Sequence, residues 1–422
     1  MLKKIGLITM ADVMTKGIGY LLLPVYLGLM SKEAFGQYGF LIGGLGSIGL
    51  LLSLSLYVPF IREFSKNTTK IEHQKIVSTI FISLFFWLIL VTLALVLLKP
   101  YIVNIFIDFF AIKMFGDEIY LLSLLIIDTN VILLFVFALI VARRNTFELA
   151  VFTIFRFVSV SLLSIVFLYT ALYSQDEVVN RMLGVIASEL FVIAVYLFYI
   201  VKKYIHFSVD FELLKRHFQI ALPLVPSGLI GFFMITIDRS LIAEYHGLSS
   251  LADYNLAMQA LMPIEMLMSA TQMVWSPYLF SVKNDIESLR QSLKVMLISL
   301  GVMILGVLFI YLLILYAIEL NIIRGSFSLV PNIILMASVG VIANTLLNLN
   351  SNMYVRINKT KIQLMIGLLI LLIYWALNIF LVPMYSVYGA AISSGIAYSV
   401  GLILGISILN KIININEKHA KL

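Results

Sequence analysis

The chain is written as long apolar runs separated by short polar clusters. A helix needs about 20 mostly apolar residues to cross roughly 30 Å of hydrocarbon at about 1.5 Å per residue. Twelve runs meet that length, some with polar interruptions. They lie at approximately 5–30, 35–60, 76–98, 119–142, 151–172, 182–201, 219–242, 251–280, 293–318, 329–353, 362–382 and 387–410. A backbone in lipid must satisfy its own N–H and C=O groups, so each run reads as a membrane-spanning helix. The first run continues to about Met30, past the roughly 7–15 apolar residues of a secretory signal, and no small-x-small site closes it. It reads as an uncleaved first helix.

Charge orients these spans. With the N-terminus placed inside, 21 of the 29 lysines and arginines fall in inner segments and 5 in outer segments. The outer five are Lys32, Lys99, Lys113, Arg181 and Arg324. A missed helix would reverse every later loop, so the imbalance supports an even count with both ends in the cytoplasm. The basic balance, a net charge of +7, is then mostly a record of topology. Anionic inner-leaflet lipid is its expected partner, and nucleic acid is not. Lys16, Arg156 and Arg239 remain inside spans, with Asp12, Asp128, Glu189, Asp238 and Glu265.

Composition agrees with the pattern. Hydrophobic residues make up 62% of the 422 and charged residues 12%, half of the roughly 25% usual in soluble proteins. Mean hydropathy is +1.06. No cysteine is present, which excludes disulfides, thiolate metal sites and cysteine nucleophiles. No G-x-x-x-x-G-K-[ST] phosphate loop or H-E-x-x-H motif occurs. No outer segment exceeds about 20 residues, too little for the outer catalytic loop of a glycan polymerase or ligase. The expectation is a secondary transporter without enzymatic activity, cofactor or bound metal, and with H+ or Na+ as the coupling ion.

The chain divides into two sets of six spans, 1–201 and 219–422, joined by an amphipathic inner linker at 202–218. The halves echo each other. Phe35-Gly36-Gln37-Tyr38 opens span 2 and Leu251-Ala252-Asp253-Tyr254 opens span 8, each followed after 21 or 23 residues by a proline, Pro59 or Pro277. Six spans per half is an even number, so the repeats would be parallel.

Four stretches carry a resemblance: Leu22-Leu23-Pro24 through Tyr38, Ala221-Leu222-Pro223 with Asp238-Arg239, Gly247 through Tyr254, and Pro383 through Gly389-Ala390-Ala391-Ile392. In order and spacing they resemble the oligosaccharide flippases of the polysaccharide transporter family. That family belongs to the multidrug/oligosaccharidyl-lipid/polysaccharide exporter superfamily. The resemblance implies an all-α integral membrane fold of about twelve transmembrane helices, in two pseudo-symmetric six-helix bundles around a central cavity. It further implies alternating-access transfer of undecaprenyl-diphosphate-linked repeat units, of O-antigen or capsule type, across the bacterial inner membrane. Glycan polymerases are implied as partners.

Ionisable groups inside a membrane cost about 2.5–3.5 kcal/mol each on insertion scales and are functional candidates by default. Lys16, Arg62, Arg156 and Arg239 are the candidates for binding the cargo's phosphates. Asp12, Asp128, Glu189, Asp238 and Glu265 are the candidates for ion coupling or for charge pairing. Asp12 and Lys16 are four residues apart and share a helix face. Arg156 has two possible acidic partners, Asp128 and Glu189. Carboxylates and aromatics dominating the cavity would instead favour a drug/cation antiporter of the same superfamily.

Overall fold

A computed structural model describes residues 18–65, 69–101, 116–171, 173–204, 209–222, 225–282, 285–357 and 359–420. Among these residues every regular element is helical. The helices are α1 (Ile18–Leu29), α2 (Lys32–Leu52), α3 (Tyr57–Phe64), α4 (Lys70–Leu97), α5 (Asp117–Ala142), α6 (Thr146–Thr170), α7 (Glu177–Tyr204) and α8 (Phe211–Ala221). There follow α9 (Val225–Ser281), α10 (Asp285–Glu319), a short 3-10 turn (Gly325–Phe327), α11 (Val330–Arg356), α12 (Thr360–Tyr385) and α13 (Val387–Ala420).

Nine of the described helices are long and apolar enough to cross a membrane. The described part of the first span, α1, is shorter. At about 1.5 Å per residue the 57-residue α9 runs close to 85 Å, nearly three times a hydrocarbon core. It is divided at Gly247, whose φ of 78° and ψ of 174° suit a residue without a Cβ. The break falls between the expected spans 7 and 8, so α9 covers both of those expected runs. By internal packing the chain forms two compact units, Met1–Thr236 and Ile237–Leu422. The parting lies inside span 7, beyond the expected 202–218 link.

The helix ends are set by local chemistry. Thr69 and Glu72 form a capping box on α4, with Glu72 N–H donating to the Thr69 hydroxyl at 3.3 Å and Thr69 N–H to the carboxylate at 2.8 Å. Ser31 caps α2 and Asn145 caps α6. The linker helix α8 is capped by Asp210, which accepts from Glu212 and Leu213 N–H at 2.9 and 3.0 Å. Lys75 of α4 reaches the same carboxylate at 2.6 Å. The Lys75 contact, then the backbone donors, hold the Asp210 carboxyl down to about 2. A carboxyl held low stabilises the fold above its ordinary value near 4 and loses that contribution only as pH falls through about 2. The anchor is therefore intact throughout the physiological range.

Span 2 departs from the expected continuous helix at 35–60. It stops at Leu52, passes through residues 53–56, and restarts as α3. Leu54 and Ser55 have φ of 50° and 53°, a left-handed conformation that costs L-residues about 1–2 kcal/mol each. Side chains take up the backbone groups that the break releases. The Ser53 hydroxyl donates to Leu50 C=O at 2.6 Å and accepts from Ser55 N–H at 3.3 Å. The Trp87 indole donates to Leu52 C=O at 3.0 Å. Pro59 is the third residue of α3, where a missing N–H leaves no intrahelical bond unmade. It marks a helix restart rather than a helix end.

Two glycines admit backbone-to-backbone packing at the same place in each half. A Cβ on Gly184 of α7, the sixth span, would lie 2.6 Å from Ser164 Cα of α6. One on Gly389 of α13, the twelfth span, would run into the Leu381 carbonyl of α12. In lipid, where apolar burial gives little drive, such close approach is a main source of helix cohesion. Gly184→Ala and Gly389→Ala are each expected to cost about 1–3 kcal/mol by overpacking. Thermal unfolding of the purified variants measures this, and unchanged midpoints in both would contradict the packing.

Candidate functional site

Polar groups inside the spans gather in two places, one in each compact unit. In the N-terminal unit the centre is Glu189 on α7, whose side chain is 4% exposed. Arg156 of α6 donates from Nη2 to Glu189 Oε1 at 2.5 Å and to Asn130 Oδ1 at 2.8 Å. The Thr129 hydroxyl donates to Glu189 Oε2. Three helices, α5, α6 and α7, thus share one charge pair, and a third of the Arg156 side chain stays exposed. A buried pair must recover several kcal/mol of desolvation per ion through such contacts.

Asp128 precedes Thr129 by one residue, so on α5 it points about 100° away. It meets α4, where the Thr92 hydroxyl bridges both carboxylate oxygens at 2.8 and 3.1 Å. Of the two acidic partners open to Arg156, the geometry selects Glu189. Asp128 is half-buried beside a neutral hydroxyl.

Where the C-terminal end of α1 meets the N-terminal ends of α2 and α7 lies a contact the sequence reading placed among topology charges. The Arg181 guanidinium sits between two rings, 4.0 Å from the Tyr26 centroid and 3.8 Å from that of Tyr38. Its Nη1 approaches Met30 Sδ at 3.1 Å, and its Nε is buried without a hydrogen-bond acceptor among the described residues. The ring faces supply the negative potential instead. One turn earlier Glu177 accepts from Ser31 N–H at 2.6 Å. Together these contacts clamp the first hairpin onto α7. The signal for Arg181 was its place among only five outer basic residues.

In the C-terminal unit the centre is Asp238, 2% exposed. Tyr254 donates its hydroxyl to Oδ2 at 2.6 Å, and the Tyr374 hydroxyl lies within electrostatic reach of the same carboxylate. Arg239 donates its backbone N–H to Oδ1 at 2.7 Å, with Nη1 3.6 Å away, and its Nε meets Asn255 Oδ1 at 3.2 Å. The neighbours in sequence therefore do pair, through one oxygen, although their side chains leave the helix in different directions. Glu265 is exposed on α9, and Tyr398 of α13 lies within electrostatic reach of both Glu265 and Asp238. Asp238, Arg239 and Glu265, candidates from sequence, thus share one neighbourhood. Tyr374, Tyr398 and Asn255 join it from distant positions.

Arg62 is exposed in the last turn of α3. Asp12 and Lys16 lie outside the described residues. Among the described residues no group of three or more His, Asp or Glu is placed to hold a metal ion.

Comparison with known proteins bears on this architecture. A family model described as "Polysaccharide biosynthesis protein" matches residues 1–283. Compared by sequence with curated proteins, the chain matches none. Among solved structures it is similar to lipid II flippase MurJ in an inward closed conformation, with a TM-score of 0.72 at 15% identity, covering 96% of this chain and 87% of that one. An inward-facing multidrug resistance MATE transporter of the MOP superfamily gives 0.70 at 15% identity, covering 96% and 99%. A mutant of the Vibrio cholerae MATE transporter VcmN gives 0.65 at 16% identity, covering 98% and 97%. At these identities the likeness concerns the fold alone.

Proposed function

Because this chain belongs to the polysaccharide biosynthesis protein family, we propose that it is a flippase for lipid-linked oligosaccharides. Its cargo is an undecaprenyl-diphosphate-linked repeat unit of the O-antigen or capsule type. It carries this across the bacterial cytoplasmic membrane by alternating access, with both termini cytoplasmic. The observation that carries the reading is the family match across residues 1–283. The intramembrane charges support it. Arg156 keeps a third of its side chain exposed while paired, so a guanidinium remains presentable to a phosphate. An ion gradient or the membrane potential drives the cycle, with Asp238 and Asp128 as the coupling candidates.

A second reading, a drug/cation antiporter, is favoured by Asp128, a half-buried carboxylate that accepts from the neutral Thr92 hydroxyl. One experiment separates them. The purified chain is reconstituted into vesicles holding a polyprenyl-diphosphate saccharide, and a membrane-impermeant glycosidase reports which leaflet the sugar occupies. The expected result is protein-dependent transfer with no transport of a cationic dye. Dye transport without sugar transfer would overturn the flippase reading and install the antiporter.

A further inference from the structure

A cleft between α3 and the linker helix α8 shares no residue with either charge cluster. It holds about 190 Å³, with Pro59, Arg62 and Glu63 on one wall and Arg216, His217 and Ile220 on the other. Spacing makes the walls. Arg62 and Glu63 follow Pro59 by three and four residues on α3, and His217 and Ile220 continue from Leu213 and Arg216 with the same helical period on α8. Each helix thus brings one guanidinium to a common space. Among the described residues neither Arg62 nor Arg216 has a carboxylate within ion-pair distance, whereas Arg143, Arg156 and Arg239 each have one.

Both walls are held by α4. At the end of α3, the His73 ring stacks on Phe64 with centroids 4.1 Å apart, and its Nε2 donates to Phe64 C=O at 3.1 Å. At the start of α8, Asp210 N–H donates to Thr79 Oγ1 at 3.0 Å and its carboxylate meets Lys75 at 2.6 Å. Within α8, His217 is 3% exposed and its Nδ1 donates to Leu213 C=O at 2.8 Å. The two arginine stems therefore leave from fixed positions, which lowers the ordering cost when both close on one ligand.

Charge and size select the ligand. Two guanidiniums beside one carboxylate leave a positive excess and call for an anion. With a water's share of about 30 Å³ as yardstick, the cleft takes roughly six such groups, close to the roughly five non-hydrogen atoms of a phosphate. A tetrahedral phosphate offers an edge to each of two guanidinium forks, whereas a carboxylate has one edge to offer. We propose that the α3–α8 cleft binds a phosphate group, held by Arg62 and Arg216. A membrane-lipid headgroup, the diphosphate of the proposed cargo and free phosphate share that chemistry, and paired probes tell them apart.

The purified, delipidated chain in detergent is titrated with three pairs of probes. Native mass spectrometry compares phosphatidylglycerol with diacylglycerol and a polyprenyl diphosphate with polyprenol. Calorimetry compares inorganic phosphate with acetate at equal ionic strength. The expected result is at least one pair whose phosphate-bearing member binds about tenfold or more tightly, and that pair names the source. A response of the polyprenyl pair alone makes the cleft a cargo site and rests on the flippase reading. Arg62→Ala with Arg216→Ala should bring the ratio to near one. Glu63→Gln, which removes a like charge beside the ligand, should raise it about threefold. Arg290→Ala with Lys294→Ala, which takes two exposed positive charges from α10, should leave it unchanged. Thermal unfolding confirms that each variant is folded. Ratios near one in all three pairs would overturn the proposal. So would a ratio that survives the double arginine variant, or one that falls as far in the α10 variant. No transport is read, so failure here is distinct from failure of the vesicle assay.

Discussion

Glu189→Leu is expected to destabilise the protein by about 3 kcal/mol, because it leaves the Arg156 guanidinium inside a span without its counter-ion. Removal of one partner of a buried pair costs about 3–5 kcal/mol. The lower end applies because a third of Arg156 is exposed and its long stem can carry the charge toward an interface. Thr129 loses its acceptor in the same substitution. Adding Arg156→Leu should return most of that loss, since apolar replacement of a whole buried pair is commonly neutral or favourable. Unfolding midpoints around the double-mutant cycle give the coupling directly. The folded double variant then decides what the pair is for. If Arg156 meets the cargo's phosphates, the vesicle assay should lose transport while stability recovers. Full transport in the double variant would reduce Arg156 to a structural counter-ion.

Much of the fold was legible because lipid makes demands that appear locally. The apolar runs and Gly247 between the expected spans 7 and 8 both act within a few residues. Gly389, part of a stretch noted only for its resemblance, has a packing reason: α12 passes so close that no Cβ fits. The break in span 2 was hidden because residues 53–56, Ser-Leu-Ser-Leu, include neither glycine nor proline. Its support comes partly from Trp87, a helix away in sequence. The site was legible in its ionisable members and opaque in its partners. Asp238 and Arg239 could be nominated from their place within a span and from the resemblance that includes them. That Tyr374 would close on Asp238 from more than a hundred residues away could not, since long-range pairing is set by how helices pack. Arg181 failed differently. Charge counting explained it as topology, and only the Tyr26 and Tyr38 rings show that it joins three helices.

Asp238→Asn should lower transport by tenfold or more while the protein remains folded in the membrane. The substitution preserves shape and removes one charge. Asp238 now offsets Arg239 and accepts from the Tyr254 hydroxyl and from Arg239 N–H. Hydrogen bonds to a charged group are worth about 1.5–3 kcal/mol each, and about 1.4 kcal/mol is tenfold in rate, so losing one at a step of the cycle suffices. Tyr254→Phe removes a single donor and should give a smaller defect of the same kind. Asp238→Asn combined with Arg239→Gln restores local neutrality. If neutrality were the whole role, that double variant would transport normally. If Asp238 carries the coupling ion, it should instead stay slow, and its residual transport should no longer respond to an imposed proton or sodium gradient. Residual transport that still follows the gradient would exclude Asp238 and move the coupling to Asp128 on α5, where the Thr92 hydroxyl would give way when an ion arrives.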